Sequence, residues 1–187
     1  MNKKIEEPKL QKGIIQVYFG NGKGKTTAAI GQAVRALGQG LRVYMAQFLK
    51  PMNVFSGEMA IFETFGTDFI FRRPNTTGFL EKTPDSNEKE KEKGLIIEEM
   101  ISARDMISTG VCDIFIFDEL LTALNLGLIE EFHLTDLMKA KTEFIEMIFT
   151  GLKSTQNITD LADLVTEMRL VKHPFQTGLK ARKGIEY

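Results

Sequence analysis

The 187-residue chain has no tryptophan, one cysteine and two histidines. The single cysteine, Cys112, excludes an internal disulfide and a metal site built from cysteines alone. We expect it to be buried as a small apolar residue just before a strand. No apolar stretch approaches the roughly 18 residues of a membrane-spanning helix. The first residues lack the apolar segment of a signal peptide, so we expect a cytoplasmic protein with no membrane contact.

The chain also lacks an excess of either charge, with 24 basic and 25 acidic side chains and a formal net charge of -1. Proteins that bind nucleic acid usually show a basic excess, so we expect no nucleic-acid partner. A balanced total is still compatible with one basic pocket for a small polyanion. At this length the chain can bury the core of one domain.

Apolar, β-branched segments alternate with segments of helical periodicity, which indicates an α/β fold with a mostly parallel sheet and helices on both faces. A polar N-terminal arm, residues 1–12, is expected to be mobile, and residues 13–187 to form a single domain. A long loop is predicted over 72–87. The predicted strands are 14–19, 41–48, 61–65, 69–71, 113–119, 144–150 and 164–171. The predicted helices are 25–37, 88–109, 135–141 with Thr135 as its cap, and one turn capped by Asn157 and reaching Asp163.

A glycine-rich segment over 20–27, GNGKGKTT, joins the first predicted strand to the first predicted helix. Backbone N–H groups and a helix N-terminus converge on an anion at such a junction. Lys25 is predicted to contact the phosphates and the Thr26 hydroxyl to bind Mg²⁺ or Mn²⁺. One fewer residue than usual separates Gly20 from Gly24, so the loop has a differently shaped entry. The nucleotide contacts predicted within this segment are Gly20, Asn21, Gly22, Lys23, Gly24, Lys25, Thr26 and Thr27.

Two acids, Asp118 and Glu119, close an apolar strand in the manner of a Walker B pair. The carboxyl end of a parallel strand borders the ligand crevice, where a carboxylate binds Mg²⁺ directly or through water. The alternative is a solvated pair of charges at a strand end. Together with the phosphate loop, these acids indicate a P-loop NTPase-like (RecA-like) fold that binds Mg²⁺ and a nucleoside triphosphate. No catalytic base stands out, since no nucleophile–base pair can be read from the spacing around His133 or His173.

These motifs resemble the ATP:corrinoid adenosyltransferases of the CobA/CobO/BtuR type, and the resemblance extends from Gly13 over nearly the whole chain. The short phosphate loop and the C-terminal segment are its most specific parts. The matching segments are 20–29, 35–40, 47–50, 56–58, 117–120, 160–169 and 172–187.

The resemblance implies a transferase that moves the 5′-deoxyadenosyl group of ATP to Co(I) of a corrinoid and releases triphosphate. The cobalt nucleophile carries no proton, which explains the missing base. By this resemblance Lys25, Phe79 and Glu119 are catalytic, and Arg35 joins the nucleotide contacts. Phe79, in the 72–87 loop, would pack against the lower face of the corrinoid. The family also implies a homodimer, in which the arm covers the neighbouring subunit's site, and a flavodoxin-like reductase as electron donor.

The chain departs from the family pattern at three places. Glu81 stands where members often have tryptophan. Leu152 replaces the arginine of a Thr-Gly-Arg motif, and Lys153 replaces that arginine only in part, because it lacks the bidentate fork. Leu121 and Thr122 follow the acid pair, where a polar residue and an aromatic are usual. Two other hypotheses therefore stay open: a divergent, non-catalytic member that binds ATP and corrinoid, and another P-loop kinase or ATPase of small molecules.

Overall fold

The computed structural model describes residues 10–51, 55–74, 86–174 and 178–185. Six parallel strands form one sheet in the order β3-β2-β4-β5-β1-β6. The strands are β1 (Ile15–Phe19), β2 (Val43–Gln47), β3 (Phe69–Arg72), β4 (Ile114–Asp118), β5 (Glu146–Gly151) and β6 (Leu164–Glu167). The helices are α1 (Lys25–Leu37), α2 (Gly57–Phe62), α3 (Ser86–Thr109), α4 (Leu120–Asn125), α5 (Glu131–Lys139) and α6 (Gln156–Leu161), and a 3₁₀ segment spans Glu63–Asp68.

Both faces of β2, β4 and β5 are buried, as expected for parallel strands that read as continuous apolar runs, whereas β6 at the edge of the sheet is exposed. Alternate residues of the central strands enter opposite cores, because successive side chains of a strand point to opposite faces. The larger core holds, from these strands, Ile15, Val17, Tyr44, Ala46, Phe115, Phe117, Met147 and Phe149. The smaller core holds Val43, Met45, Ile114, Ile116 and Ile148.

Helices cover the two faces unequally. The helix α1 packs on the smaller core through a stripe of alanines, Ala29, Ala33 and Ala36, and small side chains allow a close approach to the sheet. The larger core receives the apolar sides of α3, α4, α5 and α6. The predicted mostly parallel sheet with helices on both faces is therefore confirmed. No helix in the described part of the chain is both long and apolar enough to cross a bilayer.

The predicted strand over 61–65 is wrong, because α2 and the 3₁₀ segment occupy this region. Phe62 and Phe65 are three residues apart, so helical backbone places their rings together, with centroids 6.0 Å apart. Phe69 packs against both rings at 4.9 and 5.3 Å. Side-chain clustering on the smaller core thus decides the local conformation against the β propensity of the segment.

The predicted helix 135–141 begins too late, because α5 starts at Glu131 and Thr135 lies inside it. Its N-cap is Glu130, whose backbone N–H donates to His133 Nδ1 at 3.1 Å. This bond satisfies one of the unpaired donors at a helix start and gives His133 a capping role. The short helix α6 is capped by Thr155 and not, as predicted, by Asn157. The Thr155 side chain accepts the Ile158 N–H. The helix α4 is not predicted from the sequence.

Cys112 is 2% exposed just before β4, as predicted, and burial raises the pKa of its thiol to about 11. Near the N-terminus, Leu10 packs against the smaller core, whereas residues 1–9 lie outside the described residues. The long loop predicted over 72–87 also lies mostly outside them, and α3 begins at Ser86.

A pair of phenylalanines tests this assignment of the core. Phe149 is fully buried and its ring stacks on Phe117 at 5.0 Å, whereas Phe132 is 59% exposed on α5. We expect Phe149→Ala to lower the free energy of unfolding by about 3–5 kcal/mol, because it leaves a cavity in the larger core. Phe132→Ala should cost less than about 1 kcal/mol. Urea denaturation of both variants checks this, and similar losses would contradict the assignment.

Candidate nucleotide-binding site

The phosphate loop connects β1 to α1 and is shaped by its contact with the chain that follows β6. Met168 donates its N–H to the Phe19 carbonyl at 2.7 Å, and its own carbonyl accepts the Gly22 N–H at 2.7 Å. A Cβ on Gly20 would collide with the same Met168 carbonyl oxygen, and one on Gly22 would lie 2.7 Å from it. Gly20 also has φ +119°, which favours glycine. The two glycines thus allow close approach of a protein backbone as well as of a ligand.

Two lysines of the loop bind carbonyl groups around it. Lys25 Nζ donates to the carbonyls of Gly20 at 2.7 Å and Gly22 at 2.9 Å. An ammonium has three donors, so the same side chain still has one to offer a phosphate. Lys23 Nζ donates to the Ile185 carbonyl at 3.0 Å, which ties the C-terminal segment to the loop.

Asp118, at the end of β4, joins three elements beneath the loop. Its carboxylate is fully buried, and its Oδ1 accepts from the hydroxyls of Thr26 at 2.9 Å and Thr150 at 2.7 Å. Its Oδ2 accepts from the Gln47 amide at 3.0 Å. These donors come from α1, β5 and β2, so the structure brings together Thr26 and Asp118, two of the residues predicted to bind the cation. The Thr26 hydroxyl donates its hydrogen bond to Asp118, so the lone pairs of its oxygen can face a cation.

Glu119 follows Asp118 in a left-handed conformation, with φ 64°. This conformation is uncommon outside glycine and here places the carboxylate in the lining of the cavity. The Thr122 hydroxyl donates to Glu119 Oε2 and also accepts the Leu152 N–H at 2.9 Å. Burial raises the pKa of Glu119, and the charge of Asp118 adds to this rise, whereas the Thr122 hydrogen bond lowers it.

Residues after β2 also line the cavity, among them Lys50 and Glu58. Lys50 Nζ lies 3.7 Å from Glu58 Oε1. Burial opposes the charge of Glu58, but hydrogen bonds from its own N–H and from Ser56, and then the charge of Lys50, lower its pKa overall. Leu49, just before Lys50, has φ 59° and is, with Glu119, one of two described non-glycine residues with a positive φ. Such strained backbone concentrates at functional sites.

These features enclose a cavity of about 460 Å³, a size typical of small-molecule sites. Its polar lining is rich in lysines, as a polyphosphate site requires. Among the residues predicted from the sequence, the lining includes Asn21, Gly22, Lys23, Gly24, Lys25, Thr26, Thr27 and Glu119. The lining also includes Ile30, Lys50, Gly57, Glu58, His173, Gly184 and Ile185, which the predicted site did not contain. All of these residues except Ile30 lie in the segments 47–50, 56–58 and 172–187, which match the family pattern.

Other predicted residues lie elsewhere. Arg35 is exposed in the last turn of α1, about 15 Å along the helix from Lys25 by the helical rise, and does not line the cavity. Leu152 and Lys153 do not line it either, although the Leu152 carbonyl accepts the Gly20 N–H at 3.1 Å. Phe79 and Glu81 lie outside the described residues.

The donor set around Thr26 suits a hard cation such as Mg²⁺, since it consists of hydroxyl and carboxylate oxygens. No group of three or more histidine, cysteine or acidic side chains that could hold a metal is found in the part of the chain that the structure describes. A cation here would therefore draw most of its ligands from phosphate oxygens and water, as Mg²⁺ does at many nucleotide sites.

The fold is similar to that of the RadB recombinase, whose crystal structure superposes with a TM-score of 0.50 at 16% identity. The match covers 87% of this chain and 78% of that one. At this identity the likeness concerns the fold alone, and it confirms the predicted P-loop NTPase-like (RecA-like) fold class.

Sequence comparisons identify relatives over nearly the whole chain. The corrinoid adenosyltransferase of Escherichia coli K12 is 34% identical over 184 residues, which are 98% of this chain and 90% of the relative. That of Pseudomonas aeruginosa is 31% identical over 187 residues, 100% of this chain and 90% of the relative. The family model described as ATP:corrinoid adenosyltransferase BtuR/CobO/CobP matches residues 11–187. The chain is therefore an enzyme of the ATP:corrinoid adenosyltransferase family.

Proposed function

We propose that this protein transfers the 5′-deoxyadenosyl group of ATP to the Co(I) ion of a corrinoid and releases triphosphate. The observation that carries the proposal is the cavity in which the phosphate loop, Lys25 and the Thr26–Asp118 pair meet. The family membership supplies the two substrates. The reaction forms a cobalt–carbon bond with the electron pair of Co(I), and the C5′–oxygen bond breaks with its electrons going to triphosphate.

The residues of the cavity suit such a leaving group, because triphosphate departs with a large negative charge. Lys23 and Lys25 belong to the phosphate loop, and Lys50 also lines the cavity. Preorganised positive charges and N–H donors stabilise charge that develops in the transition state. The protein needs no base, since the corrinoid nucleophile has no proton to lose. Its task is to hold the two substrates in line.

A divalent cation such as Mg²⁺ would add charge stabilisation on the phosphate oxygens when it is bound. Thr26 would contact it directly, because its hydroxyl proton is held by Asp118. Asp118 is fully buried and would act through Thr26 or through water, whereas Glu119 lines the cavity and would act from its surface. Asn21, Gly22, Gly24 and Thr27 would contact the phosphates. Arg35 has no part in this arrangement because of its distance along α1.

The formation of the cobalt–carbon bond tests the proposal. We expect the purified protein, with ATP, Mg²⁺ and chemically reduced cobalamin, to give the absorption spectrum of an alkylated corrinoid. Lys25→Ala should lower the rate at least about 100-fold, because it removes a charge from the leaving group. Lys139→Ala is the matched control, an exposed lysine on α5 outside the cavity, and should keep the wild-type rate. Absence of the alkylated product with wild-type protein would refute the function, and a normal rate for folded Lys25→Ala would refute the role of Lys25.

A second prediction concerns Phe79, proposed to pack against the lower face of the corrinoid and to stabilise the four-coordinate form that is easier to reduce. Phe79→Ala should then slow turnover about tenfold or more when reduction takes place on the enzyme. It should have much less effect when pre-formed Co(I) is supplied, because the difficult step is bypassed. Leu80→Ala, a neighbouring apolar truncation, is the control. Equal losses under the two reduction regimes would show that Phe79 acts on adenosyl transfer or on packing instead.

We also propose a homodimer in which the arm, residues 1–12, covers the neighbouring subunit's site, and a flavodoxin-like protein as reductant. Leu10 anchors the described end of the arm on the smaller core, beside α1. Deleting residues 2–9 should therefore spare the fold and ATP binding while raising the KM for corrinoid severalfold. Steady-state kinetics and light scattering check this. An unchanged KM for corrinoid, or a monomer in solution, would contradict the proposal.

A further inference from the structure

A buried arginine lies behind the cavity and connects to the acid motif through one amide. Arg73 follows β3 and is 8% exposed, and its Nη2 donates to Gln47 Oε1 and, at 3.3 Å, to the Ser56 hydroxyl. Gln47, at the end of β2, is fully buried and donates its Nε2 to Asp118 Oδ2 at 3.0 Å. The strands β3, β2 and β4 are neighbours, so their carboxyl ends place the three side chains in a row.

The direction of these hydrogen bonds follows from the chemistry of each group. A guanidinium only donates, an ionised carboxylate only accepts, and an amide has one end of each kind. With Arg73 on one side, Gln47 must present its oxygen there. Its NH₂ group is then directed at Asp118. Without the arginine, only Asp118 would orient the amide, and the buried amide oxygen would lose its charged donor.

The orientation of Gln47 matters because it decides how the Asp118 carboxylate is held. Thr26 and Thr150 donate to Oδ1, and Gln47 donates to Oδ2, so both oxygens are fixed. Loss of the Gln47 donor would let the carboxylate rotate away from the geometry that orders the Thr26 hydroxyl. Arg73 also places a positive charge near two acids, and its interactions with Glu58 and Asp118 oppose the lowering of its pKa by burial.

We propose that Arg73 is a positioning residue for the magnesium-nucleotide end of the site, because it fixes the Gln47 amide and through it the Asp118 carboxylate. This inference rests on the proposed function and names a residue outside the cavity lining. Arg73 does not line the described cavity. Its effect therefore passes through Gln47 and concerns the part of the affinity that Mg²⁺ contributes.

Calorimetric titration of ATP, with Mg²⁺ and separately with EDTA, tests the proposal without any corrinoid. We expect Arg73→Met to weaken Mg²⁺·ATP binding about tenfold, a typical effect of losing a hydrogen bond to a charged group, and to change binding in EDTA less than about twofold. Arg73→Lys keeps a donor and should recover most of the affinity. Arg72→Met is the matched control, an exposed arginine one residue earlier, and should bind as the wild type does.

A double-mutant cycle separates positioning from general support of the fold. Gln47→Met should lose about as much Mg²⁺·ATP affinity as Arg73→Met, and the double variant should lose no more than either. Should a single variant not fold, the double variant, in which both partners are apolar, carries the test. Normal Mg²⁺·ATP binding, equal losses in EDTA, or losses that multiply in the double variant would each overturn the proposal. Mg²⁺·ATP binding without adenosyl transfer in the wild type would refute the proposed function and leave this inference standing.

Discussion

The burial of one carboxylate, that of Asp118, constrains the whole carboxyl edge of the sheet. An ionised group without contact to water is costly unless donors surround it. Here the donors come from separate elements: Thr26 from α1, Thr150 from β5 and Gln47 from β2. Each of these elements must therefore place its donor at a defined position. The phosphate loop, the left-handed turn at Glu119 and the end of β2 meet around this one group.

The second constraint on the site is the packing of the phosphate loop against the chain after β6. Gly20 and Gly22 have no side chain where the Met168 carbonyl approaches. The loop is thus held by the hydrogen bond from Thr26 to Asp118 and by its contact with the backbone of Met168. Thr122, which departs from the family pattern, also stabilises the site, because its hydroxyl links Glu119 to the Leu152 backbone. Leu152, which stands where the family pattern has an arginine, does not line the described cavity.

Local patterns in the sequence were sufficient for the fold class, for most of the strands, and for the position of the phosphate loop between the first strand and the first helix. They were sufficient because apolar runs, glycine spacing and strand ends are properties of neighbouring residues. The strand predicted over 61–65 is wrong, because the ring contacts of Phe62 with Phe69 and Phe71 favour helical backbone there. The order of the strands and the return of the C-terminal segment bring Lys50, Glu58 and His173 to the cavity. The strand order also places Arg73 beside Gln47. No local signal distinguishes buried Arg73 from exposed Arg72.

The proposed reaction differs from that of most P-loop proteins, because in it the bond that breaks lies at C5′ and the three phosphates stay together. The lysine-rich cavity and the buried acid would then serve to hold triphosphate as a unit rather than to activate its terminal phosphoryl group. Phosphorus NMR of the products after turnover with ATP, Mg²⁺ and reduced corrinoid tests this most directly. The account predicts inorganic triphosphate in an amount equal to the adenosylated corrinoid. Formation of ADP together with a phosphorylated product or free phosphate, without triphosphate, would contradict it.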